Sequence, residues 1–355
     1  MITIHENFDI RKLTTFGLPA ECGRFIEYTG EDDLQKMRAE GILRDALPLG
    51  GGSNMLFTTG SFPGTVIHST SRESLLRPQS DGSVELTLSA GYPLDEACAM
   101  AARVGLWGME NLSGIPGNIG GAAVQNVGAY GTELKDLLKS AVCFDSEVGE
   151  LVRLSNGDCR YGYRDSAFKH MEYPCRLIVY AVVLRLDPNG APNLAYSGLA
   201  KALEGRSGLT PMDVRRAIIA LRNQKLPDPA QVGSAGSFFK NPVVSASEYE
   251  RICARYRENM VAEDGNAQAD ADQLVPGHVN ASGEVKLSAA WLIDHAGCKS
   301  FSVGGAALWP SQPLVIVNAD GHATGADVVA LEERIRRRVQ SVFGIDLQPE
   351  VIHIP

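Results

Sequence analysis

The chain has 355 residues, 44% hydrophobic and 21% charged, a balance that excludes a disordered or fibrous protein and leaves room for two or three domains of ordinary size. Its formal net charge of -9 counts against a nucleic-acid-binding protein, which needs a basic footprint. The seven cysteines (Cys22, Cys98, Cys143, Cys159, Cys175, Cys253, Cys298) are scattered with no C-x-x-C, so neither a zinc knuckle nor a disulfide framework is indicated, and a reducing compartment is expected.

The opening MITIHENFDIRK lacks the apolar core of a signal peptide. RFIEY, ALPLGGG and TVIHST read as short strands separated by turn residues. VELTLSAGYPL alternates as a strand does, and DEACAMAARVG is a helix stopped by its glycine. AVCFDSEVGELVRL follows as a hairpin and RLIVYAVVLRLD as a long strand. The longest apolar run, LIVYAVVL at 177–184, is under half a membrane span, so a cytoplasmic protein is expected. Pro and Gly loosen the chain at DPNGAPN. TPMDVRRAIIALRNQ is then a helix with Thr210 as N-cap and Pro211 at its first position, and SASEYERICARYREN is another. Residues 261–286 are polar and irregular and read as a surface loop or insertion, whose DADQL lacks the glycine of a calcium loop. GADVVALEERIRRRVQSVFG is an amphipathic helix with acids early and arginines late, which puts Arg336, Arg337 and Arg338 at a solvated helix end. IDLQPEVIHIP closes the chain as a strand, and no internal repeat is present.

Several stretches could carry chemistry. LGGGSNML (49–56) lets backbone approach a ligand closely, with Ser53 and Asn54 adding hydrogen-bonding groups; a tight turn explains it equally well. GIPGNIGGAAVQNVGAYG, with Gly114, Gly117, Gly120, Gly121, Gly128 and Gly131, loses much backbone entropy if it is only a loop. A pyrophosphate held between two lobes accounts for both segments. Arg164 in YGYRDSAFK offers a planar fork of donors for a carboxylate or phosphate, and Lys225 sits just past a helix and before a rigid Pro-Asp-Pro turn. The seven histidines form no H-E-x-x-H and no ligand pair, so no metal site is expected. Ser237 in GSAGSFFKNP is not a hydrolase nucleophile, because Ala235 and Phe239 stand where a nucleophile elbow needs glycines.

From TTFG (14–17) to QPEV (348–351), the motifs GGGSNML, GIPGNIGGAAVQNVGAYG, YGYRDSAFK, KLPDP, AGSFFKNP and AAWLIDHAG run in the order found in one family. Together they resemble UDP-N-acetylenolpyruvoylglucosamine reductases, the flavoenzymes that make UDP-N-acetylmuramate for peptidoglycan, and LAYSGL before KLPDP is similar to the longer, type I branch. The resemblance implies an α+β fold: a two-lobed FAD-binding domain of the vanillyl-alcohol-oxidase type followed by a smaller α+β substrate-binding domain. Lobe 1 is expected at 1–70, joined by the C-terminal strand at 345–355, lobe 2 at 71–224 and the substrate-binding domain at 225–344. Non-covalent FAD is then expected on Gly50, Gly51, Gly52, Ser53, Asn54, Ile115, Pro116, Gly117, Gly120, Gly121, Gln125 and Asn126.

NADPH is the implied co-substrate and UDP-N-acetylglucosamine enolpyruvate the implied substrate. Arg164 matches the family's catalytic arginine and Glu350 its C-terminal glutamate, both at the substrate carboxylate, Glu350 as the protonated acid. Ser237 matches the residue that gives a proton to the substrate carbanion. Tyr130, Tyr163, Tyr196, Lys225, Asn241 and Gln312 match substrate contacts. One departure is local: Trp309 and Pro310 replace a polar histidine and a basic residue near Gln312. A monomer is expected, with neither nucleic acid nor membrane as partner. The alternatives are an oxidase of the same flavin fold and a non-catalytic UDP-sugar-binding regulator. The first often needs an attachment histidine or cysteine that neither glycine-rich segment contains, and retention of Arg164, Ser237 and Glu350 speaks against the second.

Overall fold

Contacts in the computed structural model, which describes residues 2–264, 275–280 and 282–355, divide the chain into two units. The first comprises Met1–Thr14, Ala20–Ser53 and Ser61–Gln224, and the second Thr15–Pro19, Asn54–Gly60 and Lys225–Pro355.

The first unit holds two sheets. One has the order Thr3–Asp9, Glu21–Tyr28, Ser61–Ser69, Leu47–Leu49; its first pair is antiparallel and the other two are parallel. The helix Glu31–Ala39 supplies Leu34 and Met37 to the core that includes Ile26 and Ile67. The other sheet is antiparallel throughout, in the order Glu150–Ser155, Leu138–Asp145, Leu177–Leu186, Val84–Ser89, Ser74–Pro78. Leu86 and Leu88 alternate with half-buried residues, as a one-sided strand requires, whereas Leu177–Leu186 is buried along most of its length. Against these strands lies the helix Leu94–Arg103. Its Leu94, Ala97, Cys98, Ala101 and Ala102 recur at helical spacing, and their small size permits close packing. The helix Pro211–Lys225 begins as its sequence requires: Asp213 accepts from the Thr210 hydroxyl at 2.6 Å and from its amide at 3.1 Å.

In the second unit, an antiparallel sheet runs Gly233–Ser237, Gln312–Asn318, Ala306–Trp309, Ser302–Val303. A second antiparallel sheet has Val285–Leu287 between Val243–Val244 and Gly277–Val279. The closing strand Ile352–Ile354 pairs in parallel with Met55–Phe57. One core unites Phe16, Leu56, Phe238, Phe239, Leu292, Ile316 and the inner face of Gly325–Phe343.

Two expectations need correction. The segment 261–286 is not a continuous loop: the helix Ala246–Asp264 runs into it and the strands Gly277–Val279 and Val285–Leu287 end it, while 265–274 and 281 lie outside the described residues. The triple-arginine cluster does not occupy a helix end, because the last turn of Gly325–Phe343 contains no basic residue. Arg336 instead bonds both carboxylate oxygens of Asp346, at 2.8 and 2.9 Å, and Arg338 donates to the Ala296 carbonyl at 2.8 Å. Within the second glycine-rich segment, Ile119–Gln125 is helical. Grouping by contacts also places Asn54–Gly60 and the C-terminal strand with residues 225–355, a division different from the lobe boundaries expected above.

Candidate active site

The first unit brings the two glycine-rich segments against each other. A Cβ on Gly51 would stand 2.5 Å from the Gly117 Cα, so only hydrogen fits there, and Gly117 itself holds φ of 110°, which a side-chain-bearing residue rarely adopts. Ser53 Oγ donates to the Pro116 carbonyl at 3.1 Å. A Cβ on Gly50 would stand an ordinary 3.7 Å from the Gly121 Cα, and a Cβ on Gly121, an exposed residue, would meet nothing within 4 Å. The result is a side-chain-free backbone surface between the segments, which fits the flat, anionic parts of a dinucleotide such as FAD. Of the neighbouring residues, Gly121 faces open space, whereas Gly120 is buried against Ala90 and Ile115 packs on the core that holds Leu112 and Ile119; Gln125 and Asn126 follow at the end of the helix and are buried.

Arg164 occupies a tight turn in the same unit, closed by reciprocal backbone bonds between Gly162 and Asp165 at 3.0 and 3.3 Å. It has φ of 55°, a left-handed conformation that disfavours a side-chain-bearing residue. Its Nη2 donates to the Gly128 carbonyl at 2.5 Å and Nη1 to the Asn126 carbonyl at 3.5 Å; Glu133 lies 4.0 Å away and the Tyr163 ring packs under the guanidinium at 5.3 Å. Lys169 Nζ donates to the Arg164 carbonyl at 2.9 Å. Tyr130, itself at φ of 51°, meets the edge of Tyr196 with centroids 5.1 Å apart.

Sequence reasoning missed Arg222, whose side chain lies against Gly114 and interacts with Tyr130. Burial lowers the pKa of its guanidinium, and the Tyr130 hydroxyl and Asp95 oppose that shift. Asp95 in turn accepts from the Gly114 amide at 2.5 Å and pairs with Arg215 at 2.5 and 2.8 Å; burial works against its charge, but these bonds hold its carboxyl below the usual range. The only sequence signal was Arg222's place one turn before Lys225.

Ser237 and Glu350 belong to the second unit. Between Ser234 and Ser237 the strand carries one residue more than its partner, which runs from Val317 to Val315, and Gly236 takes φ of 71° at this bulge. The bulge turns Ser237 outward, where it is exposed, while Phe238 and Phe239 are buried. Each such ring stabilises the fold by roughly 1.5–3 kcal/mol. The chain then pairs with the C-terminal segment: Glu350 N donates to Phe238 O at 2.8 Å and Lys240 N to Gln348 O at 2.9 Å. Ser237 and Glu350 are therefore carried by neighbouring extended segments.

Asn54 bonds to the C-terminal segment. Its Nδ2 donates to the Glu350 carbonyl at 3.1 Å and its own carbonyl accepts from Ile352 N at 3.0 Å. Of the remaining residues, Asn241 Oδ1 accepts from Ala289 N at 2.9 Å, Gln312 opens the strand Gln312–Asn318 opposite Trp309, and Lys225 is exposed at its helix end. Tyr130, Tyr163, Arg164 and Tyr196 thus belong to the first unit, and Lys225, Ser237, Asn241, Gln312 and Glu350 to the second. Among the described residues, no group of three His, Cys, Asp or Glu side chains is placed to hold a metal ion, and no helix is long and apolar enough to cross a membrane.

Comparison with known proteins agrees with the motifs. The family model described as UDP-N-acetylenolpyruvoylglucosamine reductase, C-terminal domain, matches residues 228–354, and the FAD binding domain model matches residues 37–155. Curated proteins named UDP-N-acetylenolpyruvoylglucosamine reductase are similar along the full length. That of Chromobacterium violaceum is 39% identical, covering 98% of each chain, and that of Neisseria gonorrhoeae is 39% identical over 100% of this chain and 99% of its own. The Bacteroides fragilis protein is 37% identical over 98% and 99%. The crystal structure of the UDP-N-acetylenolpyruvylglucosamine reductase from Thermus caldophilus superposes with a TM-score of 0.67 at 23% identity, covering 100% of this chain and 99% of its own, which supports the α+β fold.

Proposed function

The chain belongs to the UDP-N-acetylenolpyruvoylglucosamine reductase family, and we propose that its residues share the reaction as follows. The reaction is the reduction by NADPH of the enolpyruvyl group on UDP-N-acetylglucosamine to give UDP-N-acetylmuramate. When bound, FAD supplies hydride transfer between NADPH and the terminal carbon of the enolpyruvyl group. The first unit would hold it without a covalent bond, on the backbone of Gly50–Ser53 and Pro116–Gly121, with residues 1–70 and 71–224 as its lobes.

Arrival of hydride at the terminal carbon leaves negative charge on the adjacent carbon and carboxylate of the substrate. Arg164 binds that carboxylate with its guanidinium fork, pre-aimed by the Gly128 and Asn126 carbonyls. Glu350, as a neutral acid, donates to the same carboxylate. Ser237 gives its hydroxyl proton to the adjacent carbon; a hydroxyl is a weak acid, but its acceptor is a strongly basic carbon and position decides the rate. Lys225, Tyr196, Asn241 and Gln312 bind the diphosphate and uridine, Tyr130 and Tyr163 flank the sugar end, and residues 225–344 act as the substrate-binding domain. The enzyme works as a cytoplasmic monomer on small molecules.

The observation that most supports this division is the backbone pairing of residues 238–240 with 348–350, which puts Ser237 and Glu350 on adjoining segments. Denaturing the purified protein should release FAD into the supernatant, and NADPH oxidation should depend on the enolpyruvyl sugar. Folded, colourless protein that FAD cannot reconstitute would defeat the reading.

A further inference from the structure

We infer that Asn126 is a positioning residue for Arg164, its side chain holding the arginine's turn and not the cofactor. The inference rests on the reading of Arg164 as the group that binds the substrate carboxylate. Asn126 ends the helix Ile119–Gln125 in a left-handed conformation, φ 47° and ψ 56°, and is fully buried. Left-handed geometry suits asparagine better than most residues. Both N–H groups of its amide are engaged: Nδ2 donates to Gly162 O at 2.8 Å and to Glu133 Oε2 at 3.0 Å. Its Oδ1 accepts from Lys135 N at 3.1 Å. The side chain therefore grips the turn two residues before Arg164, while its carbonyl is one of the two that receive the guanidinium.

The same short stretch sews down the rest of the turn. Ser166 Oγ, fully buried, donates to Val124 O at 2.6 Å, so residues 162, 164 and 166 are each tied to residues 124–128. This matters because Arg164 holds a left-handed φ that a free turn would relax. Removal of the Asn126 amide would let the guanidinium leave its fixed direction without touching the glycine surface.

Asn126→Gly separates the two roles, since glycine accepts the left-handed backbone and lacks only the amide. In the flavin-loaded enzyme, FAD content and the rate of flavin reduction by NADPH should stay near wild type. The KM for the enolpyruvyl sugar should rise about ten- to a hundredfold. Inhibition by UDP-N-acetylglucosamine, which lacks the carboxylate, should not change. Adding the substitution to Arg164→Ala should have little further effect, because the two residues act as one unit. Asn126→Asp, which keeps size and backbone preference but loses both donors, should reproduce the split if the glycine variant folds poorly.

Loss of FAD, slow reduction by NADPH, or equal weakening of UDP-N-acetylglucosamine would overturn the inference. So would an unchanged KM in Asn126→Gly beside a raised one in Arg164→Ala, which leaves the reading of Arg164 standing. An unchanged KM in Arg164→Ala itself would remove that reading and this inference with it.

Discussion

The turn bearing Arg164 is tied to its surroundings mainly by side chains, whereas the segments bearing Ser237 and Glu350 are held mainly by backbone, with one side-chain bond from Asn54 to the Glu350 carbonyl. Around Arg164, the amide of Asn126, the hydroxyl of Ser166 and the ammonium of Lys169 each grip a main-chain carbonyl within the turn or beside it. Around Ser237, the bonds are Phe238 N to Leu314 O, Glu350 N to Phe238 O and Lys240 N to Gln348 O, all main chain to main chain. A site of the first kind depends on the identity of several residues and fails when one is changed. A site of the second kind tolerates substitution near it and depends on the one side chain that faces the substrate.

The comparison breaks first at Ser237. Ser237→Ala removes a single exposed oxygen from a strand that backbone pairing preserves, so the protein should fold and bind FAD normally. Steady-state turnover should nevertheless fall by roughly 10²- to 10⁴-fold, the usual worth of a general acid. Ser237→Cys should restore part of it, because a thiol also donates, and an NADPH-oxidation assay reads both.

Arg164→Lys comes next. It keeps the charge but loses the planar fork that Gly128 and Asn126 aim, so kcat/KM for the enolpyruvyl sugar should drop by about ten- to a hundredfold. Flavin reduction by NADPH, followed as loss of absorbance, should be unaffected.

Asn54→Ala sharpens the contrast from the other side. It deletes the side-chain bond to the Glu350 carbonyl but leaves the backbone bonds of Glu350 N and Ile352 N in place. Stability to urea should fall by about 1 kcal/mol and turnover by less than about tenfold. A far larger loss of turnover would show that the glutamate's segment, too, relies on side-chain support.

The smallest effect concerns the C-terminal strand that follows Glu350. Glu332 accepts from His353 Nε2 at 2.7 Å and raises the pKa of the imidazole above its usual 6.5; burial and Arg336 oppose the rise. A raised folded-state pKa gives stability that is fully present below about pH 6.5 and is lost as pH rises through the folded value. The Tm of His353→Gln should therefore fall short of wild type most at pH 6, and the gap should narrow by pH 9.

Much of this was legible in the sequence. Glycines at 51 and 117 were read as places where backbone could approach a ligand; what the structure shows is the two residues packed against each other. Thr210 and Pro211 marked a helix start, where the structure adds a bond from the Thr210 hydroxyl to Asp213, and the alternation of Leu86 and Leu88 marked a strand. What escaped was held by distant partners. Asn54 lies in a glycine motif but bonds a carbonyl 296 residues away, which no local pattern can reveal. Asn126 sits in the second motif, yet its amide reaches Gly162, 36 residues on. The helix Ala289–His295 is only seven residues long, too short for a clear apolar periodicity, and Glu31–Ala39 buries only Asp33, Leu34 and Met37. The arginines of Gly325–Phe343 suggested a solvated helix end because their partners, Asp346 for Arg336 and the Ala296 carbonyl for Arg338, lie outside the helix itself.

Anaerobic stopped-flow spectroscopy of Ser237→Ala tests the central claim most directly, because it separates the two halves of the reaction. NADPH should bleach the bound flavin at the wild-type rate. Recovery of the colour on mixing with the enolpyruvyl sugar should then be slower than wild type by at least about a hundredfold. Recovery at nearly the wild-type rate would contradict the account, and the proton would have to come from another group.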